Sequence, residues 1–166
     1  MDVSRDKVFQ QIADKLGYSF EGQMKIGGNY VPLVRNGHEI YISGQIPRVG
    51  DTVVATGRVG VDVDLEEGRR AAKICTMRAL AILRQSLGSL DHVRKVLRIT
   101  VYVQSAPDFT QQSEVADGAS EVLYAIFSAA GVHTRTSVGV YQLPKNASVE
   151  IDMIVSADDV VTATGA

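Results

Sequence analysis

Apolar residues recur along this chain at two spacings, and the switches between them predict most of its elements. Near the start, Val8, Phe9, Ile12, Ala13 and Leu16 return every three or four positions and so share one helix face, with Ser4 placed to cap and Gly17 to stop. "NYVPLVRNGHEIYISGQIP" then gives two β-rich runs around Asn36-Gly37, a hairpin signal. "RVGDTVVATGRVG" reads as loop, with room for one short edge strand. A long helix is predicted from about Leu65 to Leu87, opened by a capping box at Asp64 and Glu67 and closed at Gly88. Its apolar stripe is Ala72, Cys75, Ala79, Leu83 and Leu87. "VRKVLRITVYVQS" alternates, with Leu97, Ile99, Val101 and Val103 on one side and Arg98, Thr100, Tyr102 and Gln104 on the other. After a turn at Pro107-Asp108, a helix carries Val115, Ala119, Val122, Ile126 and Phe127 on one stripe and ends by Gly131. "TRTSVGVYQLPKNASVEIDMIVS" closes the chain as two strands joined by a proline turn, read as an antiparallel pair. In the second of them Val149, Ile151, Met153 and Val155 face one way, and Glu150, Asp152 and Ile154 the other.

The order helix, ββ, α, β, α, ββ predicts an α+β layer with both long helices on one face of a mixed sheet. A strand–helix–strand connection across each long helix is expected to be parallel and right-handed. The other sheet face would carry Val34, Tyr102, Ile154 and Val138, too apolar for open water and too polar for a dry core. Such a face predicts a homo-oligomer with sheets turned toward one another.

Composition narrows the function classes. At 166 residues the chain suits one domain, and its 45% hydrophobic and 22% charged content is ordinary for a globular protein. A net charge of −2 gives no general attraction to nucleic acid or anionic membrane. One cysteine excludes an internal disulfide framework, and the charged start lacks an apolar signal core, so a cytoplasmic location is expected.

Most candidate chemistry has a plain structural explanation. His38, His92 and His133 lack ligand spacing. The acidic run Asp62, Asp64, Glu66 and Glu67 complements a helix N-terminus. Cys75 lies on an apolar stripe, as a buried hydrophobe does. Arg69, Arg70, Lys73, Arg78 and Arg84 read as a solvated helix face rather than a nucleic-acid groove. Ser43 and Ser137 have no histidine placed for a triad. Arg135 is different, because its planar guanidinium suits a two-point grip on a carboxylate. The competing structural reading is an ion pair with Glu150 or Asp152 on the next strand.

Three blocks carry a resemblance: "ISGQIP" from Ile42 to Pro47, "VLRITVYVQSAPDF", and "RTSVGVYQLPKNASVEIDMI". Together they resemble the Rid/YjgF family of reactive intermediate deaminases, also called endoribonuclease L-PSP, over roughly Gly28 to Ala157. On that resemblance the chain is a single domain: residues 1–27 form a helical extension, 28–157 the core and 158–166 a tail. The implied fold is chorismate-mutase-like, a homotrimer around a central β-barrel with ligand clefts between subunits. The implied reaction is cofactor-free hydrolysis of enamine or imine acids such as 2-aminoacrylate to 2-keto acids and ammonia. The alternatives are a non-catalytic keto-acid binding module and a ribonuclease. By the same resemblance Arg135 binds the substrate carboxylate, and Glu150 serves the hydrolytic water. Tyr30, Ser43 and Gly44 flank the ligand. Ser137 replaces a frequent cysteine, and Asp117 stands near a family asparagine. No cofactor, metal, nucleic acid or membrane is implied as partner.

Overall fold

The computed structural model describes residues 3–159; of the tail expected over 158–166, residues 160–166 lie outside them. Helix α1, Arg5–Leu16, starts on Ser4, whose side chain accepts from the Lys7 backbone, and stops at Gly17 with φ +75°. Strands β1, Leu33–Asn36, and β2, Glu39–Gln45, form the hairpin, with Asn36 paired to Glu39. That register puts Gly37 first in a two-residue turn, where its φ of +62° matches the strand twist. The glycine-rich stretch holds two short strands, β3, Arg48–Val49, and β4, Thr52–Val53, paired only with each other. Helix α2 runs Leu65–Leu87 with both hydrogen bonds of the Asp64/Glu67 capping box and ends at Gly88. Strand β5, Val93–Gln104, helix α3, Gln112–Phe127, strand β6, Thr134–Val140, and strand β7, Val149–Ala157, complete the chain.

The main sheet has the order β1-β2-β7-β5-β6. Only β5 and β6 are parallel, joined across α3; β2 and β5 also run the same way, with β7 antiparallel between them. Helices α2 and α3 pack together over one face, as predicted, and α1 covers their outer side. Helix α2 is consequently buried on nearly every side, not along one stripe.

Two expectations fail here. The closing strands are not an antiparallel pair, because β5 lies between β6 and β7. Leu97 is not on the helix face either. The ladder skips it between Val96 and Arg98, and this bulge buries Val96 with Ile99 while Leu97 is only half-buried.

The open face carries an aligned row, Val34, Tyr41 and Ile154, across three strands, with Val138 farther along; Val34, Tyr41 and Val138 are exposed. Among the described residues no helix is long and apolar enough to cross a membrane.

Candidate active site

One cavity of about 190 Å³ gathers part of the expected site. It opens beside β2, where the ladder to β7 shifts register between Ile42 and Gln45. The shift brings Gly44 against Glu150: a Cβ on Gly44 would overlap the carboxylate oxygen and lie 3.1 Å from its carbon. Tyr30, Gly44 and Glu150 line this cavity together with Arg48, Arg78 and Lys145. Apolar wall comes from Ile26, Pro32, Ile46 and Ile82. Ser43 does not line it. Its hydroxyl instead donates to the Val31 carbonyl at 2.7 Å and fixes the loop bearing Tyr30.

Arg78 corrects the reading of a solvated helix face. It is 4% exposed and ties α2 to three neighbouring segments. Its Nε donates to Gln45 Oε1 at 3.3 Å, one terminal nitrogen to the Arg48 carbonyl at 2.7 Å and the other to the Lys25 carbonyl at 3.3 Å. Burial lowers its pKa, and the nearby Arg48 lowers it further, so the charge is held at a cost.

Glu150 is the carboxylate of the cavity. Burial raises its pKa above the ordinary glutamate value, and the like charge of Asp152 two residues on adds to this. Asp152 accepts from the Tyr102 hydroxyl at 3.0 Å, on the same open face. A carboxyl with a raised pKa in a small cleft is suited to exchanging a proton with a bound ligand or water.

Gly44 makes this arrangement testable. Gly44→Ala forces the Glu150 carboxylate aside, and the displaced atoms are the flexible end of a side chain, so the strands need not part. Activity is expected to fall at least tenfold, with the thermal midpoint shifting by no more than about 2 °C; kinetics and calorimetry on one preparation check both.

The remaining expected residues form a second group at the far edge of the sheet. Arg135 pairs in register with Ile99 and so faces the helices, whereas Glu150 pairs with Tyr102 and faces away. Neither ion pair considered for it, to Glu150 or Asp152, forms. One terminal nitrogen of Arg135 donates to Asp117 Oδ1 at 2.9 Å and to Ser120 Oγ at 3.0 Å. The other donates to the Ser113 carbonyl at 3.2 Å and to Ser113 Oγ at 2.9 Å. Four of its five N–H groups are thus spent on α3. Ser137, paired with Val101, lies on the same side of β6.

His133 Nδ1 sits 2.6 Å from the Gly131 carbonyl, to which it donates, and Nε2 lies 3.0 Å from the Ser120 hydroxyl. The chain Arg135–Ser120–His133 was not legible beforehand, because nothing in the spacing of those residues marks it. Cys75 is fully buried, and burial pushes its thiol pKa well up. Among the described residues no group of three metal-ligating side chains could hold an ion.

Comparison with known proteins gives the family. The family model described as "YjgF/chorismate_mutase-like, putative endoribonuclease" matches residues 16–155. The chain belongs to the YjgF/chorismate mutase-like family. This YjgF-family chain is 36% identical over 146 residues to Protein TCP17 of Trypanosoma cruzi, covering 87% of this chain and 91% of the relative. It is 31% identical over 116 residues to a 2-iminobutanoate/2-iminopropanoate deaminase of Dermatophagoides farinae, covering 67% and 82% respectively. Among solved structures it is similar to protein Atu1372 of Agrobacterium tumefaciens, with TM-score 0.82 and 37% identity over 93% of this chain and 94% of that one.

Proposed function

We propose that this chain hydrolyses small 2-imino acids, and the enamines that tautomerise to them, to 2-keto acids and ammonia. The observation that carries the proposal is Glu150, a half-buried carboxyl of raised pKa in a cavity sized for a metabolite. Family membership and the relative named as an iminobutanoate deaminase support it.

The steps use one carboxyl. Ionised Glu150 takes a proton from water as the water oxygen bonds to C2. The C=N π pair moves to nitrogen, and Glu150 passes that proton to it, giving a neutral carbinolamine and an ionised carboxylate again. Glu150 then takes the carbinolamine hydroxyl proton and delivers it to the nitrogen as the C=O bond forms and the C–N bond breaks, so ammonia leaves with the keto acid behind. Holding water and imine in contact supplies the rest. Tyr30 walls the cavity, and Gly44 permits the carboxylate's approach.

In one chain Arg135 and Ser137 stand on β6, two strands from Glu150 and on the other face of the sheet, with Asp117 beside Arg135 on α3. We place them at the site only in a homotrimer, where the β6 edge of one copy would close the cavity of the next. The exposed row on the open face is the surface that such a trimer would bury.

The pH profile tests the reading. With Glu150 acting as base, kcat/KM falls as pH drops through a Glu150 pKa above the ordinary glutamate range. Asp152→Asn removes the like charge and moves that limb to lower pH. A limb unmoved by Asp152→Asn, or still present in Glu150→Gln, assigns the ionisation to another group.

A further inference from the structure

We infer that the Glu150 cavity selects 2-imino acids bearing a second carboxylate, and that Arg48, with Lys145 at the rim, holds that second group. The inference rests on the proposed imine hydrolysis and deepens it. Arg135 of a neighbouring copy keeps the carboxylate next to the imine carbon, and Arg48 and Lys145 receive the other end of the ligand.

Charge balance is the first observation. Lys25, Arg48, Arg78 and Lys145 line the cavity against a single carboxylate, Glu150. Lys25 is already paired with Asp51. Among the described residues, Arg48, Arg78 and Lys145 have no acidic group within ion-pair distance, Glu150 included. Arg78 is deeply buried, and all its hydrogen-bond acceptors are neutral. Arg135 adds no surplus, because Asp117 already neutralises it. Three cations against ionised Glu150 leave two positive charges over. A ligand with one carboxylate offsets one of them, and a ligand with two offsets both.

The second observation is an unused donor. Among the described residues, Arg48 Nε is a buried side-chain nitrogen without a hydrogen-bond partner. Nearly all buried polar groups are partnered, so an orphan N–H on a cavity-lining arginine marks a place where an acceptor belongs. The backbone of Arg48 is fixed, since its carbonyl accepts from Arg78 and its amide donates to the Ile46 carbonyl, both at 2.7 Å.

The third is spacing. Residues 44, 45, 46 and 48 line the cavity in sequence, from Gly44 against Glu150 to Arg48. Four residues of extended chain span at most about 14 Å, and the tight turn from Ile46 to Arg48 shortens this wall. The carboxyl that moves protons stands at one end of it and the orphan donor at the other. Lys145 comes from a separate turn, pinned by the buried Gln104. The Gln104 Nε2 donates to Asn146 Oδ1 at 2.6 Å, and its Oε1 accepts from the Leu143 backbone at 2.7 Å. Lys145 is thereby presented, exposed, at the rim.

The ligand class is a short 2-imino diacid, its methylene carbons against Ile26, Ile46 and Ile82 in a space of about 190 Å³. The test compares binding of 2-oxoglutarate and 2-oxopentanoate by calorimetry on the full chain. The two share a carbon chain, but the second ends in a methyl group. Wild type is expected to prefer the diacid by about tenfold or more, as one charge-assisted hydrogen bond supplies. The same preference is expected in kcat/KM for the imines of glutamate and 2-aminopentanoate generated in situ. Arg48→Met brings the ratio near one and, by removing an unsatisfied donor, does not lower the thermal midpoint. Lys145→Gln reduces the ratio in part. Arg135→Met weakens binding of both acids, which share the carboxylate assigned to it, and keeps the ratio.

A wild type that binds the two acids equally, or prefers the monoacid, overturns the inference. So does a preference for the diacid that persists in a folded Arg48→Met. Arg48-dependent preference for the diacid with no hydrolysis of either imine upholds the subsite while sinking the hydrolase reading, so the two failures are distinguishable.

Discussion

Glu150→Gln is expected to lower kcat for imine hydrolysis by about 10²–10⁴-fold, the usual loss when a general acid–base group is removed, and to leave the fold intact. Glutamine keeps the size of the side chain beside Gly44 but can no longer take a proton from water. The raised pKa supplies a second readout from the same variant. A carboxyl whose folded pKa is raised contributes stability that is fully present below the unfolded pKa and is lost as pH rises through the folded one. Neutral glutamine escapes that loss. The thermal midpoint of Glu150→Gln is therefore expected to match wild type near pH 4 and to exceed it at pH 7.5. Thermal scans at the two pH values check this, and a midpoint below wild type at pH 7.5 would contradict the burial argument.

The largest stability change is expected from Gly118→Ala. Two effects compete at this position. Alanine in a helix interior is favoured over glycine by about 1 kcal/mol. Against that, a Cβ on Gly118 would run into the Arg69 carbonyl oxygen of α2 and stand 3.0 Å from its carbon. Those are backbone atoms of a buried helix, so relief requires α2 and α3 to separate, and overpacking of this kind costs about 1–3 kcal/mol or more. The clash wins. Helix separation also shifts Asp117 and Ser120, which flank Gly118 and hold Arg135. A denaturant titration should show a lower midpoint; an unchanged or higher one would mean that the helix pair yields freely.

The helices were legible because their ends are written in local chemistry. Ser4, the Asp64/Glu67 pair and the glycines at 17 and 88 act within a few residues of themselves. The closing strands were misread for the converse reason. A short Leu-Pro link between two β-rich runs has the local form of a hairpin, and nothing within it says that β5 enters between them. That error carried the proposed partners of Arg135 with it, since Asp117 is brought near only by the packing of α3 on β6. Arg78 was hidden by composition. An arginine among other arginines reads as solvated until the tertiary structure wraps that part of α2 on all sides. Glu150, Tyr30 and Gly44 were found by resemblance and do meet in one cavity. Arg48 and Lys145 were not singled out, because their place on the cavity wall beside Glu150 is a property of the folded chain alone.

Release of 2-oxobutanoate and ammonia from 2-iminobutanoate generated in situ, followed against the spontaneous rate in buffer, tests the central claim most directly. Hydrolysis well above the spontaneous rate, lost in Glu150→Gln, is the expected result. A rate equal to buffer alone, for this imine and for those of other short-chain amino acids, would contradict it.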